Sequence, residues 1–381
     1  MPRVLHVIRW MGRGGAETWL MHVLRNIDRN QYHLDFLVQT REPGHFDKEI
    51  VSLGSRLLYC EGAPNILKFS IHFMSVVRKN GPYDAVHSHL HHFSGIVLLL
   101  AYVLHIPIRV VHCHSAILIG PQKMPFFRKC YLRATELLIS AFSTVGLACS
   151  VPAAADLFGA GWQKQSKNKV LHCGIDLNDF AGKVNKGDIL REFNIPTHAK
   201  IVGHVGRFVP VKNHDFILEI ARDLIQVDPS VYFLLLGGGN LRKRIQEKIE
   251  MLGINSNIVL AGVRSDVPKL LSNIMDVFVL PSFYEGLGLS FVEAQTAGLP
   301  CVVSDTIPLE ADIIPDLVTR LSLTTPASLW ANKIRELLNK ERLVDRESSL
   351  RKVKGSSFNI DYSVRSLEEI YSGNPGSPSC G

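Results

Sequence analysis

No two of the seven cysteines in this 381-residue chain (positions 60, 113, 130, 149, 173, 301 and 380) form a C-x-x-C pair. With an odd count and scattered spacing, neither a zinc ribbon nor a disulfide framework is indicated. Most lie in apolar runs such as GLACS and LPCVV, where a thiol behaves as a small buried hydrophobe, so a reducing cytoplasm is expected. Long apolar runs are also missing. The longest, IVLLLAYVL at 96–104, is well short of the ~20 residues a spanning helix needs. The start, MPRVLHVIRW, enters a strand-like segment without an apolar signal core or cleavage site. A soluble protein, or one attached at most to a membrane surface, is expected. Acidic residues are outnumbered, 35 against 42 Lys and Arg, giving a net charge of +7. That balance favours an anionic partner (phosphate, nucleic acid or an acidic membrane face) without choosing among them.

What is present is globular: 46% hydrophobic and 20% charged residues, in a chain too long for one ordinary core. Short β-branched runs alternate with helical patterns. RVLHVI (3–8) precedes a helix at 16–27, DAVHSH (84–89) one at 93–105, and RVVHCH (109–114) one at 128–142. Alternation of this kind predicts parallel sheet with crossover helices. From residue 174 the period is lost, and a second alternation begins at KIVGHVGR (200–207), continuing through YFLLLGGG, NIVLAG, DVFVLPS and PCVVSD. The expected fold class is α/β, with two doubly wound halves facing across a cleft. The expected bounds are 1–173, 174–357, a C-terminal helix over 358–372 and a disordered tail over 373–381.

In such sheets ligands sit outside the carboxyl ends of strands, and the informative residues fall there. RWMGRGGAE (9–17) follows the first strand. Gly14 and Gly15 permit close backbone approach at a helix start, although the G-x-G-x-x-G dinucleotide spacing is absent and a plain glycine turn is the alternative. GRFVPVKN (206–213) brings Arg207 and Lys212, which could converge on a diphosphate; a solvated basic loop is the alternative, and the missing Walker spacing argues against an NTPase. FYEGLGLSFVEA (283–294) places Glu285 in a loop and Glu293 about two turns into a helix beginning near Leu287. Glu293 then reaches back toward the helix mouth, while amides of Gly286, Leu287, Gly288 and Leu289 meet a phosphate. This geometry suits a nucleotide sugar. A hydrolytic carboxylate pair must flank the scissile bond and needs no anion-binding helix start between its members. HSHLHH (87–92) has the look of a metal cluster, but its alternating residues are expected to point different ways, so no metal site is predicted. His114, at a strand end, could hydrogen-bond a sugar or be structural.

Glu285 and Glu293 stand eight positions apart, and with this E-x7-E pattern the chain resembles family 4 of the retaining GT-B glycosyltransferases. GGAE, HCGID, GRFVPVKN and EAQTAGLPCVVSD carry the likeness in order over nearly the whole chain. GGAE with VHSHLHH and KNH is most similar to bacterial enzymes of exopolysaccharide, capsule or O-antigen assembly. The resemblance implies a hexosyltransferase with a nucleotide-sugar donor, leaning toward UDP with GDP-mannose as the alternative, and a saccharide or polyprenyl-linked acceptor. It implies no cofactor, no metal and no nucleic acid. Arg207 and Lys212 would stabilise the leaving diphosphate and Glu285 would bind donor-sugar hydroxyls. Glu293 would hold the ribose, His114 a hydroxyl of the transferred sugar, and Gly262 to Arg264 would lie near the base. Gly14 and Gly15 would line the N-terminal wall of the cleft near the donor phosphates and the acceptor. Leu287 departs from the phenylalanine of many members, which bears on the sugar pocket. A UDP-sugar 2-epimerase shares the architecture but does not need E-x7-E beside GRF…K.

ILIGPQKMPFFRKCYLR (117–133) and NILKFSIHFMSVVRK (65–79) mix aromatic and basic residues in the N-terminal half. Docking on the anionic inner face of the plasma membrane is the expectation, with a buried core face fringed by solvated lysines as the alternative.

Overall fold

The computed structural model describes residues 1–63, 65–115, 125–182, 184–341 and 344–373. The chain divides into two compact units, one of Met1–Ile175 with the segment beginning at Ile360, the other of Asp176–Asn359.

In the first unit, seven strands form a sheet: β1 (Arg3–Ile8), β2 (His33–Val38), β3 (Leu57–Tyr59), β4 (Ala85–Ser88), β5 (Ile108–Cys113), β6 (Val145–Ala148) and β7 (Asn168–Val170). Their order is β3-β2-β1-β4-β5-β6-β7, and every pair is parallel. Helices on the faces explain the near-continuous apolar strands: the helix Ile66–Asn80 buries Phe69, Phe73 and Val77 in one cluster with Leu5, Val7, Leu37 and Val86. Side-chain caps fix helix starts. Asn65 accepts from the Lys68 amide at 3.0 Å, and Ser150 from the Ala153 amide at 3.2 Å.

The last helix, Ile360–Tyr371, belongs to this unit. Ser363 Oγ accepts from Trp19 Nε1 at 3.2 Å and from the Gly174 amide at 3.1 Å, and donates to His172 O at 3.1 Å. Trp19 itself is fully buried.

The second unit has six strands, β8 (Lys200–Val205), β9 (Val231–Leu236), β10 (Ile258–Gly262), β11 (Val277–Leu280), β12 (Cys301–Ser304) and β13 (Val318–Leu321). They run β10-β9-β8-β11-β12-β13, again all parallel. The helix His214–Val227 sets Ile217, Ile220, Ala221 and Leu224 into the core, with Phe216 and Ile225 partly buried against it. The charged segment 341–357, weakly periodic in sequence, contains a helix, Arg346–Lys354, started by Asp345 accepting from the Ser348 amide.

Candidate active site

In the second unit the loops after β8, β9 and β10 are stitched backbone to backbone. Phe208 N donates to Gly238 O at 2.8 Å, Leu241 N to Phe208 O at 3.1 Å and Gly237 N to Gly262 O at 2.8 Å. Glycine is required at 237: its φ is +142°, and a Cβ there would stand 2.0 Å from Gly206 O. Gly237 and Gly238 were not among the expected site residues, although the run GGG directly after an apolar strand is their signal.

After the turn Pro210–Lys212, Asn213 takes φ +53° and leads straight into the helix His214–Val227. Asparagine tolerates this left-handed conformation better than most side chains, which accounts for K-N-H in the sequence. The turn lays Lys212 beside Gly206, where a Cβ would meet Lys212 Cδ at 3.2 Å. Lys212 Nζ then ion-pairs with Glu285 Oε1 at 2.6 Å, the side chains being 15% and 12% exposed. Phe283 N donates to Val211 O at 2.9 Å, so the loops after β8 and β11 are held together by both backbone and charge. Arg207 is exposed, and its guanidinium makes no hydrogen bond or ion pair among the described residues.

The helix near the second glutamate begins later than the sequence suggested, at Leu289, and runs to Thr296. Gly288 at φ +87° ends the preceding loop, so Leu287 and Gly288 lie outside the helix and Glu293 sits one turn in, not two. No side chain caps this helix among the described residues, and only Phe291 N and Val292 N turn back to Gly288 O. The amides of Leu289 and Ser290 therefore offer donors at the positive end of the helix. Leu287 is buried. Glu293 is 9% exposed; burial pushes its carboxyl up to about 8, and the Asp179 carboxylate adds to the rise.

Arg264 is committed elsewhere. Its guanidinium bonds Asp266 at 2.9 and 2.8 Å, pairs with Glu192 and lies 5.3 Å over the Phe193 ring. Gly262, at φ +71°, accepts on its carbonyl from Gly237 N.

The first unit carries Gly14, Gly15 and His114. Gly14 precedes the helix Gly15–Asn26, and a Cβ on Gly14 would stand 2.5 Å from Glu17 Oε2. His114, at the end of β5, has Nε2 2.8 Å from His89 Nδ1 and Nδ1 3.6 Å from Cys173 Sγ. Burial lowers its pKa to about 3, so it is neutral.

The histidine-rich segment corrects the sequence reading. His87 and His89 are two residues apart on a strand and its continuation, so they share a face, with ring centroids 4.3 Å apart. His6 is the register partner of His87 on β1, and His112 and His114 join from β5, their rings 4.1 Å apart. Only His91 and His92 turn away; His91 Nε2 pairs with Asp156 at 3.0 Å.

Residues 159–352 match the family described as Glycosyl transferases group 1, and residues 13–179 the one described as Glycosyltransferase Family 4. The chain is 38% identical to EpsF of Bacillus subtilis (strain 168), over 87% of this chain and 86% of that one. A UDP-Gal:alpha-D-GlcNAc-diphosphoundecaprenol alpha-1,3-galactosyltransferase of Escherichia coli is 35% identical over 36% of this chain and 37% of its own. The crystal structure of Anabaena HepE in complex with UDP and glucose superposes with a TM-score of 0.80, at 17% identity, over 98% of this chain and 100% of that one.

Proposed function

The chain belongs to the group 1, family 4 glycosyltransferases, and from that premise we propose that it moves a hexose or N-acetylhexosamine from a UDP-sugar to a lipid-linked surface-polysaccharide acceptor, with retention of configuration. The carrying observation is the Lys212–Glu285 ion pair at 2.6 Å beside the uncapped helix start at Leu289. Cation, carboxylate and free amides stand together where strands end.

In this reading the amides of Gly286 to Leu289 and the charges of Arg207 and Lys212 take the diphosphate, favouring its departure as negative charge develops. Glu285 uses Oε1 for Lys212 and turns its other oxygen to donor-sugar hydroxyls. Glu293 accepts from the ribose, Gly262 and the backbone at Arg264 flank the base, and neutral His114 meets a hydroxyl of the transferred sugar. Front-face attack lets the leaving diphosphate take the acceptor proton, so no side-chain base is needed. Gly14 and Gly15 leave room on the acceptor side. The UDP and the diphosphoundecaprenol-linked acceptor in the name of the Escherichia coli relative support this donor and this acceptor class.

A thermal-shift series with UDP-, GDP- and ADP-sugars tests the donor. A ligand at a hundredfold its Kd stabilises the folded state by about 2.7 kcal/mol, so UDP-sugars are expected to raise Tm and the others to leave it unchanged. A shift with GDP-mannose alone would replace the donor assignment.

Phe126 and Phe127, at the start of the helix Phe126–Phe142, are 81% and 75% exposed, and Arg128, Lys129 and Arg133 are exposed on the same helix. The core-face alternative does not hold there; on the helix Ile66–Asn80 it holds for Phe69, Phe73 and Val77, while Leu67 and Ile71 are exposed. Lys123 lies outside the described residues, as does the tail from 374. No helix among the described residues is long and apolar enough to cross a membrane. Apolar rings beside cations suit an anionic bilayer surface that presents the acceptor. Co-sedimentation with phosphatidylglycerol vesicles is expected for the wild type and is expected to fall severalfold in Phe126→Ser/Phe127→Ser. Equal binding to neutral vesicles would remove the electrostatic part.

A further inference from the structure

We propose that the first unit binds one divalent transition metal of the zinc class on His6, His87 and His89. One ring nitrogen of each lies within 4.8 Å of the others, and His6 Nδ1 and His89 Nε2 are 3.1 Å apart. Tetrahedral zinc with Zn–N of 2.0–2.1 Å sets its ligand nitrogens roughly 3.4 Å apart, so small side-chain rotations complete the triad.

Ligation requires a defined tautomer at each ring, and His6 ligates through Nδ1 only with its proton on Nε2. His87 Nδ1 is 2.6 Å from the Tyr371 hydroxyl; with the ring proton on Nδ1 and donated there, the Nε2 lone pair is left for an ion. That Nε2 is buried and has no hydrogen-bond partner among the described residues. His89 Nδ1 is 2.8 Å from His114 Nε2, and a proton donated from the first to the second leaves His89 Nε2 for the ion. Bonds of this kind from the second ring nitrogen are how protein zinc sites orient their histidines. His6 Nε2 and both ring nitrogens of His112 are likewise buried without a partner among the described residues; an ion on the triad satisfies His87 Nε2. His6 and His87 are fully buried, and His89 is half-buried.

The ion would join β1, β4 and, through Tyr371, the C-terminal helix. It would also fix the proton of His114 on Nδ1, making that nitrogen a donor. It acts as a positioning centre, and the leaving-group chemistry assigned to Arg207 and Lys212 does not pass through it.

The full chain, stripped with dipicolinate and reloaded with zinc or cobalt(II), is expected to retain one equivalent per chain after desalting. The cobalt form should show the visible bands of a tetrahedral nitrogen-ligated ion, and the loaded protein should melt above the stripped one. Tyr371→Phe preserves the packing and is expected to weaken binding at least tenfold; His87→Gln should abolish it, and His112→Gln should keep the full equivalent. Failure of the wild type to retain zinc or cobalt overturns the proposal. Loss in His112→Gln with retention in Tyr371→Phe overturns the choice of ligands.

Discussion

Lys212→Ala is expected to lower kcat by about 10²–10³-fold, the usual cost of removing one preorganised stabiliser of developing charge. Two effects must be separated. The lysine is also the partner of Glu285, and a carboxylate only 12% exposed left unpaired costs about 1–3 kcal/mol of stability. The double variant Lys212→Ala/Glu285→Gln should regain the melting temperature without regaining turnover beyond the single variant. Recovery of turnover in the double variant would reduce Lys212 to a structural partner. Lys212→Arg keeps the charge but changes its shape, and partial activity is expected of it.

Glu293→Gln is expected to remove a pH dependence that the wild type shows twice. The folded-state pKa of this carboxyl is raised to about 8 from an ordinary 4.5. Its contribution to stability is therefore fully present below about 4.5 and is lost as pH rises through 8, because the unfolded chain gives up the proton first. The wild-type Tm should fall across pH 6–9 more steeply than that of the glutamine variant. Nucleotide binding runs in the other direction. If the carboxylate accepts from ribose hydroxyls, binding releases a proton below pH 8, so wild-type affinity should strengthen as pH rises from 6 to 8. The variant should bind at least tenfold more weakly and with a flat profile. Calorimetry in buffers of different ionisation enthalpy reads the released proton directly, and identical pH profiles for the two proteins would separate Glu293 from the ribose.

The strands and helices that frame this chemistry were legible because each was a buried parallel strand followed by an amphipathic helix. RVLHVI coincides with β1 to the residue. Boundaries slipped where conformation depends on contacts outside the segment. Leu287 and Gly288 fit a helical pattern, but the φ of +87° at Gly288 belongs to a loop that must bring Glu285 to Lys212. The charged segment around 346–354 has a weak period because its helix buries only Ser349 and Val353. The histidines illustrate a different limit. The two-residue spacing of His87 and His89 puts them on one face of a strand, against the expectation that they point different ways, while His6 and His112 join them only through sheet order, which local sequence does not contain. The Gly237–Gly206 contact likewise depends on β8 and β9 being neighbours.

The Ser363 junction bears on how the chain is made. Trp19, Gly174 and His172 all meet on one hydroxyl near the C-terminus, and His87 meets Tyr371. A ribosome delivers the first 175 residues long before these partners exist, so the half synthesised first must wait with part of its interior uncovered. The half synthesised second, Asp176–Asn359, contains all its own strands and is free to fold while translation continues. Order of synthesis and order of completion are thus opposite, and the early segment is the one exposed to chaperones and proteases during growth of the polypeptide.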